Sequence, residues 1–502
     1  MFRWLRRAWQ LTFLGSFLYL VFVTTAGLVR GYDVEWFLRV DPLVALSTTL
    51  ATRSFHHGLG WALVLIVATL FLGRFFCSWM CPMGTLHHAL GYLRRKRRVP
   101  ERIAQHAHRP SQRIKYGVLA VMLGMAALGS VQIGWLDPIA SMWRGLATSV
   151  MPVVGNASFG FYQAERHFQW ATLITLVFFG ALALNLIYPR FYCRVLCPLG
   201  ALLGVLAKFS VFRISKDPER CRDCGLCGAE CQGAADPQGT LRATECMVCL
   251  NCVERCPHDA IRTKFLPPVQ LSSNRTDLVR RKWLAAGVAG AVAVPFMRAS
   301  DGVNPRPHPG RIRPPGALAE EEFLQRCLKC DACMKVCPTG GLQPAFTEAG
   351  LEGVWTPILI PRAGYCEHSC TLCGQVCPTG AIGPLTLQEK VGHMPEQAPV
   401  RIGSARFDKG RCLPWGYQRE CIVCEEVCPT SPKAIYFKME TVITRDGTQK
   451  TIKMPYVDLD HCTGCGTCEA RCPVVDSAGI RVTAANESRT RKSSLSLTGG
   501  KI

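Results

Sequence analysis

Four apolar runs divide the first 215 residues, at positions 10–29, 59–76, 116–134 and 170–188. Each is near the roughly 20 residues that a helix needs to cross a bilayer. The pattern therefore predicts a four-helix membrane unit over residues 1–215. Arg3, Arg6 and Arg7 precede the first run. That run is too long for a secretory h-region and no small-residue cleavage site follows, so it reads as a retained helix. Between the second and third runs stand Arg94, Arg95, Lys96, Arg97 and Arg98, then Arg102, Arg109, Arg113 and Lys115. Between the third and fourth stand only Arg144 and Arg166. This asymmetry predicts a multi-pass protein of the bacterial inner membrane with both ends of the unit in the cytoplasm.

Beyond residue 215 the long apolar runs give way to short segments. Residues 216–265 hold eight cysteines in two C-x-x-C-x-x-C-x-x-x-C runs, the spacing of a two-cluster ferredoxin, and are expected to form such a domain in the cytoplasm. Residues 276–300 hold Arg280-Arg281-Lys282-Trp283-Leu284 and a short Ala/Gly-rich stretch. This resembles a twin-arginine export signal and predicts a fifth span. Iron–sulfur clusters are built in the cytoplasm, so a cluster domain bound outward must cross a membrane already folded. On that reading the C-terminal domain is periplasmic; an amphipathic linker helix there would leave it in the cytoplasm. A Pro/Arg-rich linker follows at 301–320, then a domain at 321–483 and a polar tail at 484–502 that is expected to be disordered. The predicted fold is multi-domain: an α-helical membrane unit of four spans plus a fifth, joined to ferredoxin-like α+β domains.

The membrane unit contains a repeat. Arg74-Phe75-Phe76-Cys77-Ser78-Trp79-Met80-Cys81-Pro82 follows the second run, and Arg190-Phe191-Tyr192-Cys193-Arg194-Val195-Leu196-Cys197-Pro198 follows the fourth. Asp41-Pro42 and Asp137-Pro138 also recur. In each copy the cysteines are four apart, which places them on one face if the helix continues. Two such faces could offer four thiolates to a further cluster, to another metal or to a redox dithiol. The bland alternative is two pairs of buried apolar cysteines.

Composition changes the picture most through cysteine. The chain has 28, of which these four leave 24 in six runs. Cys221, Cys224, Cys227 and Cys231 form one C-x-x-C-x-x-C-x-x-x-C run, and Cys246, Cys249, Cys252 and Cys256 another. In a two-cluster ferredoxin the fourth cysteine of each run ligates the other cube. This assigns Cys221, Cys224, Cys227 and Cys256 to one [4Fe–4S] cluster, and Cys246, Cys249, Cys252 and Cys231 to the second. Zinc is the competing metal for such spacing. Eight cysteines in two matched runs favour iron–sulfur.

The C-terminal domain holds four more runs: Cys327, Cys330, Cys333 and Cys337; Cys366, Cys370, Cys373 and Cys377; Cys412, Cys421, Cys424 and Cys428; and Cys462, Cys465, Cys468 and Cys472. Proline follows the last cysteine of each. Sixteen ligands suit four clusters, six in the whole chain. Crossed pairing of runs one with two and three with four, and nested pairing of one with four and two with three, both use the same residues.

Charge adds little. Lys and Arg number 58 against 36 Asp and Glu, a formal +22. The surplus is expected to offset cluster thiolates or dock an acidic partner, and nucleic acid is not expected.

The four runs, the two C-x-x-x-C-P copies and the inner ferredoxin resemble NapH, the quinol dehydrogenase component of periplasmic nitrate reductase systems. The twin-arginine segment, the four-run domain and the phrase Gly353-Val354-Trp355-Thr356-Pro357 resemble NapG and MauM, so the chain looks like a natural fusion. The resemblance implies an electron-transfer protein that draws on the quinol pool or a cytoplasmic donor. It would deliver electrons to a periplasmic redox protein such as a cytochrome or reductase, with membrane lipid as a further partner. A second function also fits: an assembly or reductive-maturation factor for a periplasmic metalloenzyme. No substrate pocket or haem motif is legible. Asp41 and Asp137 are candidate proton acceptors, although an acidic turn cap explains each equally well.

Overall fold

The computed structural model describes residues 2–25, 28–29, 33–92, 98–157, 166–265, 278–302, 308–392, 397–443 and 447–489. The basic run at 94–97, linker positions 303–307, the side chain of Arg280 and the tail at 490–502 lie outside the described residues.

No helix among the described residues is long and apolar enough to cross a membrane. This corrects the membrane unit of four spans plus a fifth, and with it the multi-pass inner-membrane placement. The apolar runs are broken by backbone features that hydrophobicity does not register. The second run yields a helix only over Ala62–Leu72, stopped by Gly73 at φ 75°. Its 11 residues span about 16 Å, against roughly 30 Å of bilayer hydrocarbon. The third run yields Ile114–Ala127, followed by Gly129 at φ 79°. The fourth yields Ala171–Ala183 and then a 3₁₀ turn at Leu184–Leu186. The outward faces of these helices are apolar, with Val64, Phe71, Leu176 and Phe179 exposed.

The two longer helices carry too much charge and polarity. Phe2–Val23 includes Arg3, Arg6, Arg7 and Gln10. Buried Arg6 donates to Asn251 Oδ1 at 2.8 Å, and Gln10 donates to the Ser78 carbonyl at 2.6 Å. Leu278–Gly302 includes Arg281, Lys282 and Arg298 and an internal Pro295. It packs on Ile114–Ala127 backbone to backbone. A Cβ added to Gly290 would lie 2.1 Å from the Val121 carbonyl oxygen, and one on Gly124 would lie 2.1 Å from that of Gly287.

The charge asymmetry has a local cause. Arg102 pairs with Glu230 at 2.6 Å and Lys115 with Glu245 at 2.5 Å, so these basic residues dock the helical unit on the inner cysteine domain. Strands Phe212–Lys216 and Ile261–Phe265 clip that domain in antiparallel register, Phe212 opposite Phe265. It therefore begins a few residues before 216. The C-terminal domain is clipped the same way, by Leu342–Pro344 with Pro357–Leu359 and by Ser404–Phe407 with Ile480–Thr483. A hairpin, Ile435–Ile443 with Gln449–Val457, projects from the second half.

Two segments expected to be loose are docked where they are described. Arg313 is fully buried, and its guanidinium reaches Glu320 at 2.5 Å, Thr356 Oγ1 at 2.8 Å and the Pro357 carbonyl at 2.9 Å. Arg489, near the end of the described chain, also pairs with Glu320 at 2.9 Å.

The Ile114–Ala127 helix separates the two cysteine domains. Lys115 at its start pairs with Glu245 of the inner domain. Beyond its end, the Val131 amide donates to the Leu324 carbonyl of the C-terminal domain at 3.4 Å. The helix has 14 residues, a length of about 21 Å.

Candidate metal centres

The chain's local chemistry explains how each run bends. In four of the six runs, the residues on either side of the second cysteine adopt left-handed backbone: Asp223 and Gly225, Val248 and Leu250, Lys329 and Asp331, and Gly464 and Gly466. Alternating left-handed residues turn successive backbone N–H groups toward one point, an anion-binding concavity. Runs at 366–377 and 412–428 carry an insertion after their first cysteine and lack this pair among the described residues. Backbone amides also reach the sulfurs directly. Those of Ala235, Ala260, Ala405 and Gly479 donate to Sγ of Cys231, Cys256, Cys462 and Cys472 at 3.2, 3.3, 3.4 and 3.4 Å.

The runs meet in crossed pairs. Cys221, Cys224, Cys227 and Cys256 line one hollow. Cys231 lies in the electrostatic neighbourhood of Cys246, Cys249 and Cys252. In the C-terminal domain Cys327, Cys330, Cys333 and Cys377 line one hollow. Cys337, Cys366, Cys370 and Cys373 line another. Cys412, Cys421 and Cys424 neighbour Cys472, and Cys462, Cys465 and Cys468 neighbour Cys428. The nested pairing is not the one the chain adopts.

These sets fit iron–sulfur cubes on their donor chemistry. Among the described residues no three His, Cys, Asp or Glu side chains gather tightly enough to hold a single ion; a cube, with one thiolate at each corner iron, needs the thiols spread around it. Burial, with Cys249 nearby, pushes the Cys231 thiol up to about 11, and burial pushes Cys366 up to about 12. Bare thiols there stay neutral at pH 7, and bound iron supplies the positive charge that a thiolate requires.

Neighbouring sets also lie near one another in a definite order. Cys252 senses Cys227 within the inner domain. In the C-terminal domain Cys333 senses Cys373. The Cys366 amide donates to the Cys465 carbonyl at 2.8 Å, and Cys468 senses Cys424. The four C-terminal sets therefore run from Cys327 through Cys366 and Cys462 to Cys412, which is not their order in sequence.

The four repeat cysteines converge as well. Cys197 lies near Cys193, Cys77 and Cys81. The helix does not continue between the cysteines of a copy. Phe76–Trp79 ends before Cys81, and Cys197 is extended (ψ 110°) and caps Pro198–Ala207. The proline after each second cysteine disfavours helical backbone there. In both copies the glycine amide three residues on then bonds the sulfur, Gly84 to Cys81 at 3.4 Å and Gly200 to Cys197 at 3.2 Å.

Two groups that the sequence reading left without a role stand over these cysteines. Arg74 is fully buried, with Nη2 3.8 Å from Cys77 Sγ and Nη1 donating to the Thr244 carbonyl at 2.9 Å. Arg190 donates to the Cys77 carbonyl at 3.1 Å and contacts Met247 Sδ at 3.4 Å. They open the two repeat copies, Arg74-Phe75-Phe76 and Arg190-Phe191-Tyr192, and that duplication was the signal for them. Asp41 and Asp137 are fully buried N-caps. Asp41 Oδ1 accepts from the Leu43 amide at 2.8 Å, and Asp137 Oδ1 from the Ala140 amide at 2.8 Å.

Residues 55–100 and 170–217 match a family described as a 4Fe-4S binding domain, and residues 455–475 match another of the same description. The chain is similar to YccM of Escherichia coli (strain K12), named for electron transport, at 30% identity over 47% of this chain and 64% of YccM. It is similar to the regulatory protein NosR of Pseudomonas aeruginosa at 33% identity, over 46% of this chain and 29% of NosR. It is also similar to the methylamine utilization ferredoxin-type protein MauM of Methylorubrum extorquens, at 33% identity over 42% of this chain and 89% of MauM. The chain spans less than two thirds of YccM and of NosR. No solved structure matches it significantly.

Proposed function

The chain belongs to the family of ferredoxin-type proteins that includes MauM, and from that premise we propose that it is a six-cluster electron wire. Its 4Fe-4S binding domains, and relatives named as an electron transport protein and as ferredoxin-type proteins, support iron–sulfur electron transfer. The ligands proposed are the 24 ferredoxin-type cysteines in the six crossed sets. The observation that carries the reading is the adjacency of those sets, each within reach of the next inside its domain. When bound, such clusters cycle between oxidation states one electron apart and set their potentials by charge, hydrogen bonding and exposure.

The protein's own residues do the rest. The amides of Ala235, Ala260, Ala405 and Gly479 stabilise charge on cysteine sulfur, which raises the potential of a bound cluster. Burial of Cys327, Cys330 and Cys333 excludes water from that set. For the two ends of the wire we propose a NapGH-like route, with a quinol as donor and a periplasmic redox protein as acceptor.

The test is anaerobic reduction by a quinol. A water-soluble quinol analogue is expected to bleach the visible cluster absorbance of the purified protein to a substantial fraction of the dithionite value. Dithionite bleaching with no response to quinols of menaquinol and ubiquinol potential would remove the quinol from the proposal and leave the wire.

A further inference from the structure

Cys77, Cys81, Cys193 and Cys197 stand apart from the six ferredoxin-type sets. Each of the two stretches matched as a 4Fe-4S binding domain contains only two cysteines. A cube of this kind is held by four thiolates, so neither copy can close one alone. The fold brings the two pairs together: a Cβ on Gly200 would lie 3.4 Å from Cys197 Sγ and 2.9 Å from Arg74 Nη2, which is itself 3.8 Å from Cys77 Sγ. We infer that these four cysteines bind one further [4Fe–4S] cluster, shared between the two repeat copies and placed between the inner and C-terminal cysteine domains. This deepens the electron-transfer reading and rests on it.

The surroundings call for an anion. The Arg190 Nε and Nη2 and the Arg74 Nε are buried without a hydrogen-bond partner among the described residues. A buried guanidinium left unpaired is strongly unfavourable. Both arginines lie within electrostatic reach of Cys193. Glu245 is 3.8 Å from Arg74, but its nearer partner is Lys115 at 2.5 Å. Four neutral thiols would leave Arg190 with no ion-pair partner among the described residues and Arg74 with only the Glu245 it shares with Lys115, whereas four thiolates around an iron–sulfur cube carry net negative charge. Cys197 also caps the ten-residue helix Pro198–Ala207, and a helix N-terminus favours a thiolate.

Other occupants fit less well. The thiols are not gathered tightly enough for one ion. A disulfide exchanges two electrons at once, out of step with neighbours that pass one.

The position fits a link in series. On one side, Arg74 holds the Thr244 carbonyl and Trp79 Nε1 donates to the Val248 carbonyl at 3.0 Å, both beside Cys246. On the other, the Tyr192 hydroxyl donates to the Leu136 carbonyl at 2.5 Å. Arg144 then donates to the carbonyls of Gly134 and Lys329 at 3.1 and 3.0 Å, next to Cys330. A Cβ on Gly134 would lie 1.7 Å from the Leu328 carbonyl oxygen, so the two backbones are in direct contact. Tunnelling falls steeply with distance, and an intermediate centre divides the gap between the domains. A cluster held there would supply a one-electron relay between the Cys231/Cys246/Cys249/Cys252 set and the Cys327/Cys330/Cys333/Cys377 set. Such a relay would need no proton or bond to be exchanged.

The experiment compares the full chain, purified anaerobically, with the Cys193→Ser/Cys197→Ser double variant and with Arg190→Gln and Arg190→Lys. The double variant is expected to lose one cluster's worth, about four iron and four sulfide per chain, while the ferredoxin-type resonances persist. Arg190→Gln is expected to make one cluster harder to reduce, and Arg190→Lys to restore most of its potential. An unchanged iron content in the double variant, or identical redox titrations for Arg190→Gln and the unaltered protein, would overturn the inference. Failure of the electron-transfer reading itself is distinguishable, because ferredoxin-type resonances would then be missing from the unaltered chain.

Discussion

Replacing Cys377 with serine is expected to empty the site of Cys327, Cys330 and Cys333 and to spare that of Cys366, Cys370 and Cys373, the cysteines of its own run. The crossed arrangement requires this, since Cys377 lines the hollow of the first run and Cys337 that of the second. Combining variants makes the result readable. Cys327→Ser added to Cys377→Ser removes nothing further, because both belong to one site, so the pair costs about four iron. Cys366→Ser added to Cys377→Ser costs about eight, because two sites are lost. Iron and sulfide analysis with electron paramagnetic resonance separates the two patterns. Equal losses for the two pairs would contradict the crossed arrangement. Cluster binding is much of the folding energy of such small domains, so the first pair is also expected to lower the stability of the C-terminal domain sharply.

Replacing Glu320 with glutamine is expected to cost about 3 kcal/mol, the scale of breaking a buried ion pair by removing one partner. Glu320 gathers Arg313, Arg489 and Arg311 at 2.5, 2.9 and 3.8 Å. Arg313 is fully buried, and its ring contact with Phe323 at 4.6 Å gives no exit to solvent. Burial alone would raise the Glu320 carboxyl, but Arg313, Arg311 and Arg489 together hold it well below its ordinary value. The sign of the pH effect follows. A depressed carboxyl contributes its full stability above the ordinary glutamate range and loses it as pH falls below that range toward the folded-state value. The gap between native and Glu320→Gln protein is therefore expected to be largest near pH 7 and to shrink on acidification. Urea denaturation followed by cluster bleaching at several pH values measures it. A pH-independent gap would mean that the charge on Glu320 is not what holds the three arginines together.

The cysteine chemistry was legible in the sequence because it is local. Ligand spacing and the glycines or other left-handed residues beside Cys224, Cys249, Cys330 and Cys465 are set within a few residues. The pairing of runs in the C-terminal domain was not legible, since crossed and nested schemes use the same cysteines and differ only in long-range contact. Membrane spans were read where the described residues form no helix both long and apolar enough. Hydrophobicity counts residues but does not see Gly73 and Gly129 turning the backbone, nor the 3₁₀ turn at Leu184–Leu186. The basic stretch misled for a related reason. Arg102 and Lys115 look like flanking charges until Glu230 and Glu245, more than a hundred residues away, come to meet them. Likewise Arg74 and Arg190 were visible as the openings of a repeat, but their role depends on Cys77 and Cys193 folding back beneath both.

Metal content of the anaerobically purified full chain tests the central claim most directly. Six ferredoxin-type clusters require about 24 iron and 24 sulfide per chain, and the shared site adds about four of each. A value in that range, with negligible zinc, is the predicted result. About eight iron, with zinc making up the balance, would contradict the six-cluster wire.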